Sequence, residues 1–365
     1  MAKQTKEMDK LFLGITITLV VVGLFVFISA SLGLYAQQGL SLMAIATRQF
    51  LLGVVGGLGA LWLFSRIPYS YWKRFALPLF ILSLGATALV FVPSFGYSHG
   101  GATRWIEIGS FSFQPVELLK VGFVICFAAW CAYAGKKIKT WLYGVLPFVL
   151  ILGLVVGILF LQPDTGSVLV IGLTAIAMFI AAGARWTHIA ALAATGAAGL
   201  ASLAYVRPYI QERLLTFLNP ATDPLGAGYQ IKQSLIAVGS GKWFGRGFGQ
   251  SIQKFNFVPE PVGDSIFAIF AEEWGFFGSV VLIALFIAFA LRGYKIAADA
   301  KNPFAQLLVV GLVTLIAVQS FVNIAAMIGI LPLTGLPLIF VSHGGTALFV
   351  ALASVGIILN VSRST

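Results

Sequence analysis

Charge is what this sequence has least of. Only 10% of its 365 residues are Asp, Glu, Lys or Arg, whereas a soluble domain carries about a quarter. So few charges cannot cover a water-facing surface, which excludes an ordinary soluble fold. The three histidines, His99, His188 and His343, are scattered, which argues against a histidine-built zinc site. The only cysteines, Cys126 and Cys131, stand five apart in one apolar run. On a helix they point in different directions, so no disulfide between them is expected, and they read as small buried apolar residues. Acids are scarcer than bases, 12 against 23, for a net charge of +11. The basic excess forms no contiguous patch, which argues against nucleic-acid binding.

What is present is hydrocarbon: 59% of the residues are apolar and the mean hydropathy is +0.98. Windows of about 20 apolar residues mark membrane spans. They fall near 11–31, 47–65, 75–93, 115–134, 142–160, 165–184, 186–206, 264–291, 303–330 and 338–361. The fold class predicted is all-α: a polytopic membrane protein of about ten transmembrane helices, one domain over 1–365. A large extracellular loop, about 207–263, joins helices seven and eight. The first apolar run is too long for a cleavable signal and is read as a retained helix.

The short loops fix orientation. Lys3, Lys6 and Lys10; Arg66, Lys73 and Arg74; Lys136, Lys137 and Lys139; Arg185; Arg292, Lys295 and Lys301; and Arg363 all fall on one side of a ten-span chain. That side is cytoplasmic by the positive-inside rule, with both termini there. Nine of the twelve acids (all but Glu7, Asp9 and Asp299) fall on the other side, which points to a site opening outward. The loop of 207–263 is too long to be a mere connector and reads as a lid or substrate-docking element.

Chemistry-bearing residues gather around that outer face. Val258-Pro-Glu-Pro-Val-Gly-Asp264 leads directly into span eight. Asp264 reads equally as a helix N-cap and as a general base, with Glu260 near enough to raise its pKa. In Arg104-Trp-Ile-Glu-Ile-Gly-Ser-Phe-Ser-Phe-Gln-Pro-Val-Glu-Leu-Leu-Lys120, Pro115 suits a first helical turn, which puts Glu117 and Lys120 at i, i+3 inside the bilayer. An ionisable pair there is a functional hypothesis, set against a structural ion pair. Arg104 and Trp105 suit a phosphate and a sugar, or serve as interfacial anchors. Asp164, in Gln162-Pro-Asp-Thr-Gly166, reads as a cap as readily as a catalytic or metal-binding group. Lys232, Lys242, Arg246 and Lys254 accompany glycines in the large loop and favour an anion such as diphosphate. Glu272 and Glu273, two turns inside span eight, predict a polar cavity. Ser342-His-Gly-Gly-Thr346 interrupts span ten, where close helix packing is favoured over a catalytic His343.

With these motifs in family order, the sequence resembles the SEDS family (shape, elongation, division and sporulation), which includes FtsW, RodA and SpoVE. The resemblance also rests on Gly228-Tyr-Gln-Ile-Lys-Gln-Ser-Leu-Ile-Ala-Val-Gly-Ser-Gly241, Asp264-Ser-Ile-Phe-Ala-Ile-Phe-Ala-Glu-Glu-Trp-Gly275 and Leu331-Pro-Leu-Thr-Gly335. It implies a peptidoglycan glycosyltransferase that polymerises lipid II outside the cytoplasmic membrane beside a class B penicillin-binding protein. The family's aspartate falls on Asp264, its span-four pair on Glu117 and Lys120, and its Arg-Trp and Gln-Pro-Asp motifs on Arg104 and Asp164. The chain departs from the family's usual His-Thr before that aspartate with Val262-Gly263, and has His343 where Tyr is usual. Within the family, Gly239 to Gly245 and Leu359 to Arg363 lean towards FtsW or SpoVE.

The expected chemistry is an inverting transfer with Asp264 as base. Arg104, Arg213, Lys232 and Lys242 are the candidate cations for the departing diphosphate, with Mg or Mn compatible as added counter-charge. Glu117 and Lys120 would shape the cavity that admits the headgroup. The rival from another class is a lipid II flippase, which needs a polar path from face to face.

Overall fold

The computed structural model describes residues 7–38, 47, 49–99, 102–108, 111–255 and 257–364. Lys3 and Lys6, used above for orientation, lie outside the described residues. Among the described residues, helices lie along the apolar windows: α1 (Lys10–Gln38), α2 (Gln49–Phe64), α4 (Ala76–Phe91), α5 (Pro115–Ala134), α6 (Leu146–Leu161), α7 (Thr165–Ala181), α8 (Trp186–Val206), α11 (Ile266–Asp299), α12 (Pro303–Met327) and α13 (Gly345–Ser362). Short helices α3 (Tyr69–Arg74), α9 (Pro208–Leu218) and α10 (Ala227–Ser240) lie between them. Six of the helices are long and apolar enough to cross a membrane, and α2, α4 and α7 are shorter apolar helices. The protein is a multi-pass membrane protein.

Local chemistry sets the helix starts. Pro115, Pro208 and Pro303 each open a helix, where a missing N–H costs nothing. Asn302 caps α12 through Phe304 N at 2.9 Å, and Asp164 caps α7 through Ser167 N at 3.1 Å. α12 and α13 are apolar on all sides and largely buried, so they form the centre of the bundle. α12 packs on α5, α7, α11 and α13.

One end of the bundle carries the basic loops. There Arg292 grips Asp9, with Nη2 at 2.8 Å, and Asp9 N donates to Ser362 Oγ. Asn360 and Arg363 hold the end of α2 through Ser65 O. At the opposite, acidic end a small sheet accompanies the otherwise helical fold. A three-stranded antiparallel sheet, β1 (Gly96–His99), β2 (Ala102–Ile108) and β3 (Phe111–Phe113), stands between α4 and α5. The alternation of β2 puts Arg104 and Ile106 on one face, and Ile106 is buried.

Two breaks in the described helical bundle have backbone groups served from within the protein, as membrane depth demands. Span ten was expected from 338, but α13 starts at Gly345. Pro332, Gly335 and Pro337 keep the preceding segment open, and polar side chains serve its backbone. Gln319 reaches Pro337 O, Asn323 reaches Leu336 O, and Gln49 bridges Ser342 O and Gly344 N. The second break is in α11 at Gly275 (φ +67°), where a side chain would run into the backbone of Phe244 and Gly245. The freed groups are taken up by the large loop: Phe276 N donates to Lys242 O (2.8 Å), and Phe277 N to Trp243 O. In return Arg246 N donates to Glu272 O and Gly247 N to Glu273 O (both 3.0 Å).

Helical rise shows how α11 lies. Asn323, some 20 residues above Pro303, is about 30 Å from the basic end, and Ser29 is about as far along α1. Asn323 holds Asp264 at the start of α11, while Ser29 holds Glu273 just before the break. The stretch Ile266–Trp274 therefore runs across the bundle at nearly constant depth. After Gly275 the helix turns and descends about 36 Å to Asp299.

Candidate active site

Asp264 sits where this transverse stretch begins. It does not cap the helix: the residue before α11 is Ser265, and no side chain caps the first turn. The Asp264 side chain instead accepts from Gln230 Nε2 of α10 at 3.2 Å, and Ser265 Oγ lies 3.5 Å away. Its main-chain oxygen accepts from Asn323 Nδ2 at 2.7 Å. The preceding turn is tight, with Gly263 N and Ser265 N both donating to Glu260 O, and Glu260 itself at φ +48°. His343 N fixes the turn from the other side by donating to Val262 O at 2.7 Å. Asp264 is densely surrounded yet keeps part of its surface open.

Burial, followed by the negative charge of Glu260, pushes the Asp264 carboxyl up to about 6. The hydrogen bonds from Gln230, from its own main-chain N–H and from Ser265 pull the other way. Arg213, on α9, stacks over Tyr209 at 4.4 Å. Burial holds its guanidinium below the usual arginine value, and the charges acting on it are those of Tyr209, Arg104, Asp164 and Asp264. Four of the residues singled out by sequence are thus gathered into one electrostatic neighbourhood.

Arg104 is not a free cation there. Its Nε donates to Gln162 O at 3.1 Å and its Nη2 to Pro163 O, so it grips the turn that ends α6. Gln162 Nε2 reaches back to Thr87 O of α4 at 2.7 Å. Asp164, next in the chain, is 2% exposed; Oδ1 is used by the cap, and Oδ2 has no hydrogen-bond partner. Trp105 is half-buried on β2, paired with Tyr97 of β1.

Glu117 and Lys120 form the expected i, i+3 pair at 2.8 Å, and both are sealed from solvent. Lys120 also donates to Gln319 Oε1 at 2.7 Å. One turn along α12, Asn323 joins Leu336 O to Asp264 O. A polar spine thus runs from α5 through Gln319 and Asn323 to the Asp264 turn.

Residues of the large loop separate into two groups. Lys232 is exposed and lines a mostly apolar groove of about 610 Å³ with Pro220, Pro224, Tyr229 and Ile236, on a different side of α10 from Gln230. Lys242 is exposed at the helix break, at φ +48°. The segment 246–254 is laced into the bundle rather than poised above it as a lid. Lys254, fully buried, pairs with Glu273 at 2.9 Å and also binds Ser29 Oγ and Gly249 O. Glu273 accepts from Ser29 Oγ and Ser251 N. Glu272 accepts from Ser251 Oγ (2.5 Å), Ile252 N and Gln253 N, with Arg246 at 3.3 Å. The cavity expected at these two acids is therefore filled by protein, and Lys254 is committed to an ion pair instead of an anion.

Residues 9–365 match the family model for FtsW, RodA and SpoVE, described as cell cycle protein. The chain belongs to the FtsW/RodA/SpoVE family. It is 35% identical to the probable peptidoglycan glycosyltransferase FtsW of Geobacter sp. (strain M18) over 360 residues, 99% of this chain and 98% of that one. It is 37% identical to stage V sporulation protein E of Bacillus subtilis (strain 168), covering 97% of each. Its fold superposes with TM-score 0.80, at 27% identity and 98% coverage of both chains, on a chain of a peptidoglycan synthase complex that coordinates polymerization and crosslinking.

For this family member, sequence reasoning passed over Gln230, Gln319 and Asn323. The last two carried a signal: amides spaced i, i+4 in an otherwise apolar span must serve something inside the protein. Gln230 carried none, since a glutamine on an amphipathic loop helix reads as solvated surface. Among the described residues no three His, Cys, Asp or Glu converge as a metal site.

Proposed function

We propose that this protein polymerises lipid II into glycan strands, acting as an inverting peptidoglycan glycosyltransferase at the outer face of the bacterial cytoplasmic membrane, for division or cell shape. The observation that carries the reading is Asp264: a carboxylate raised to about 6, held at the acidic end of the bundle with Arg213 in electrostatic reach. A base with a pKa near the working pH is ionised yet still basic enough to take a hydroxyl proton.

The acceptor sugar's 4-hydroxyl attacks the anomeric carbon of the donor glycan. Its proton passes to Asp264 as the new C–O bond forms. The bond from that carbon to the diphosphate breaks, and its electron pair leaves with undecaprenyl diphosphate. Arg213 is the foremost cation for the leaving group because its guanidinium is already in the neighbourhood of Asp264; Lys232 and Lys242 lie on the exposed approaches. Arg104 contributes by holding the Asp164 turn. Glu117 and Lys120 act through the spine, since neither reaches a surface. Mg or Mn, on this reading, arrives with the diphosphate, which is how magnesium is commonly held; no described side-chain cluster forms a cage for it.

The basic end of the bundle, with both termini, is assigned to the cytoplasm by the positive-inside rule, and the Asp264 end faces outward. The partner proposed is a class B penicillin-binding protein that crosslinks the strands. Headgroup transport is the weaker reading. Between Lys120 and the basic end, Phe123, Val124, Phe127, Leu308 and Leu312 are buried where a polar path would be needed. The test is polymerisation of purified lipid II by the reconstituted protein with its partner. Asp264→Asn and Asp264→Ala are expected to abolish glycan strands; near-normal turnover by either, in well-folded protein, removes the base assignment.

A further inference from the structure

We infer that Gln230 of α10 is the positioning residue for the Asp264 carboxylate, which makes the large loop a working part of the active site. The inference rests on Asp264 being the base. One amide nitrogen, Gln230 Nε2, lies 3.2 Å from Asp264 Oδ1 and 3.0 Å from Ser265 Oγ. It reaches the Asp264 side chain from a different element, while Asn323 holds the main-chain oxygen. A donor fixed on Oδ1 sets the orientation of the carboxylate.

The placement of Gln230 is built in. Gly228, Ile231, Ser234 and Ala237 are the buried positions of α10, which packs on α11; Gly228 lies against the main chain of Pro220 and Asp223, and Ser234 reaches Met327 of α12. Gln230 lies at the edge of this buried face. The start of α10 is itself tied down, since Asp223 accepts from Gly226 N at 2.9 Å and Ala227 N at 2.7 Å. At its far end Gly241 lies against the main chain of Ala271 and Glu272, where a side chain would not fit. α10 is thus held by its own loop at its start and by the transverse stretch at its far end.

An amide is suited to this position. It donates to the charged carboxylate without bringing a charge that would suppress its basicity. Around Asp264, the turn contributes the charge of Glu260 and α9 that of Arg213. Arg104 from β2 and Asp164 from the α7 cap act on Arg213, and the segment before α13 brings His343, whose main-chain N–H holds Val262 O while its ring stacks on Phe27. From α10 and α12 come the neutral amides of Gln230 and Asn323.

The test uses full-length protein in liposomes with its transpeptidase partner, scoring strand formation from lipid II across pH 5 to 9. Gln230→Leu is expected to lower kcat about tenfold or more with little change in KM. It also moves the acid limb of the profile upward, because the donor that favours the ionised carboxylate is gone. Gln230→Asn, a shorter donor, is expected to restore part of both effects. Gln233→Leu, at another position of the same helix, is the packing control and leaves rate and limb unchanged. A uniform loss with an unmoved limb in Gln230→Leu, or no loss at all, overturns the inference. Asp264→Asn is run alongside: activity there defeats the base assignment itself, whereas an inactive Asp264→Asn beside an unshifted Gln230→Leu defeats only the role of Gln230.

Discussion

Replacing Asp264 by Asn should stabilise the protein while stopping its chemistry. The carboxyl rises from an ordinary 3.8 to about 6, with burial the larger cause and Glu260 the next. Because the folded value lies above the unfolded one, the protonated form is the one the fold prefers. The resulting contribution is full below about pH 4, declines as pH rises towards 6, and is lost above it. About two pH units at about 1.4 kcal/mol each give on the order of 3 kcal/mol lost by neutral pH, as an upper bound for a partly open group. Asparagine has nearly the same shape and carries no charge, so it escapes that loss. Thermal unfolding of purified protein in one detergent, followed from pH 4 to 8, is the assay. The Asp264→Asn variant should melt above the wild type at pH 7.5, and the two curves should converge towards pH 4. A helix cap predicts the opposite sign, a loss of about 1 kcal/mol. A variant that melts lower at pH 7.5, or a difference that does not change with pH, refutes the reasoning.

Glu260→Gln removes the neighbouring negative charge, so the Asp264 pKa falls and the acid limb of the strand-forming rate should move to lower pH; an unmoved limb in a pH–rate series counts against the coupling. Lys254→Met alone strands Glu273 in a dry setting and should cost about 3–5 kcal/mol, read as lost folded yield. Lys254→Met combined with Glu273→Leu should recover much of that yield, because no buried charge is then unpaired. Gly275→Ala forces a side chain into φ +67° against the Gly245 backbone, and should lower the melting temperature more than Gly59→Ala, which meets nothing. Equal melting of the two glycine variants would show that the α11 break is not held by the loop.

Much of this protein is visible in one dimension because lipid imposes a simple rule. A span must be about 20 apolar residues long, and its flanking bases report orientation, so windows of hydropathy found where the helices lie. The proline and aspartate helix starts at Pro115, Pro303 and Asp164 are also local, since each acts on its own first turn. Asp264 was visible as a carboxylate at the mouth of a span. Its even balance between cap and base was not resolvable from the string, because that depends on Gln230 and Asn323 approaching from two other segments.

What tertiary structure alone decided concerns ionisable groups far apart in the chain. Glu272 and Glu273 looked like the lining of a cavity, because the string does not show that residues 246–254 fold back to bind them. Lys254, a loop lysine by sequence, is fully buried for the same reason. Arg104 proved to grip carbonyls of the turn after α6, 58 and 59 residues away. Composition and periodicity determine which segments enter the membrane, since each residue's preference for lipid or water is its own. Which polar groups meet inside is a property of pairs, and a pair exists only once the helices have packed.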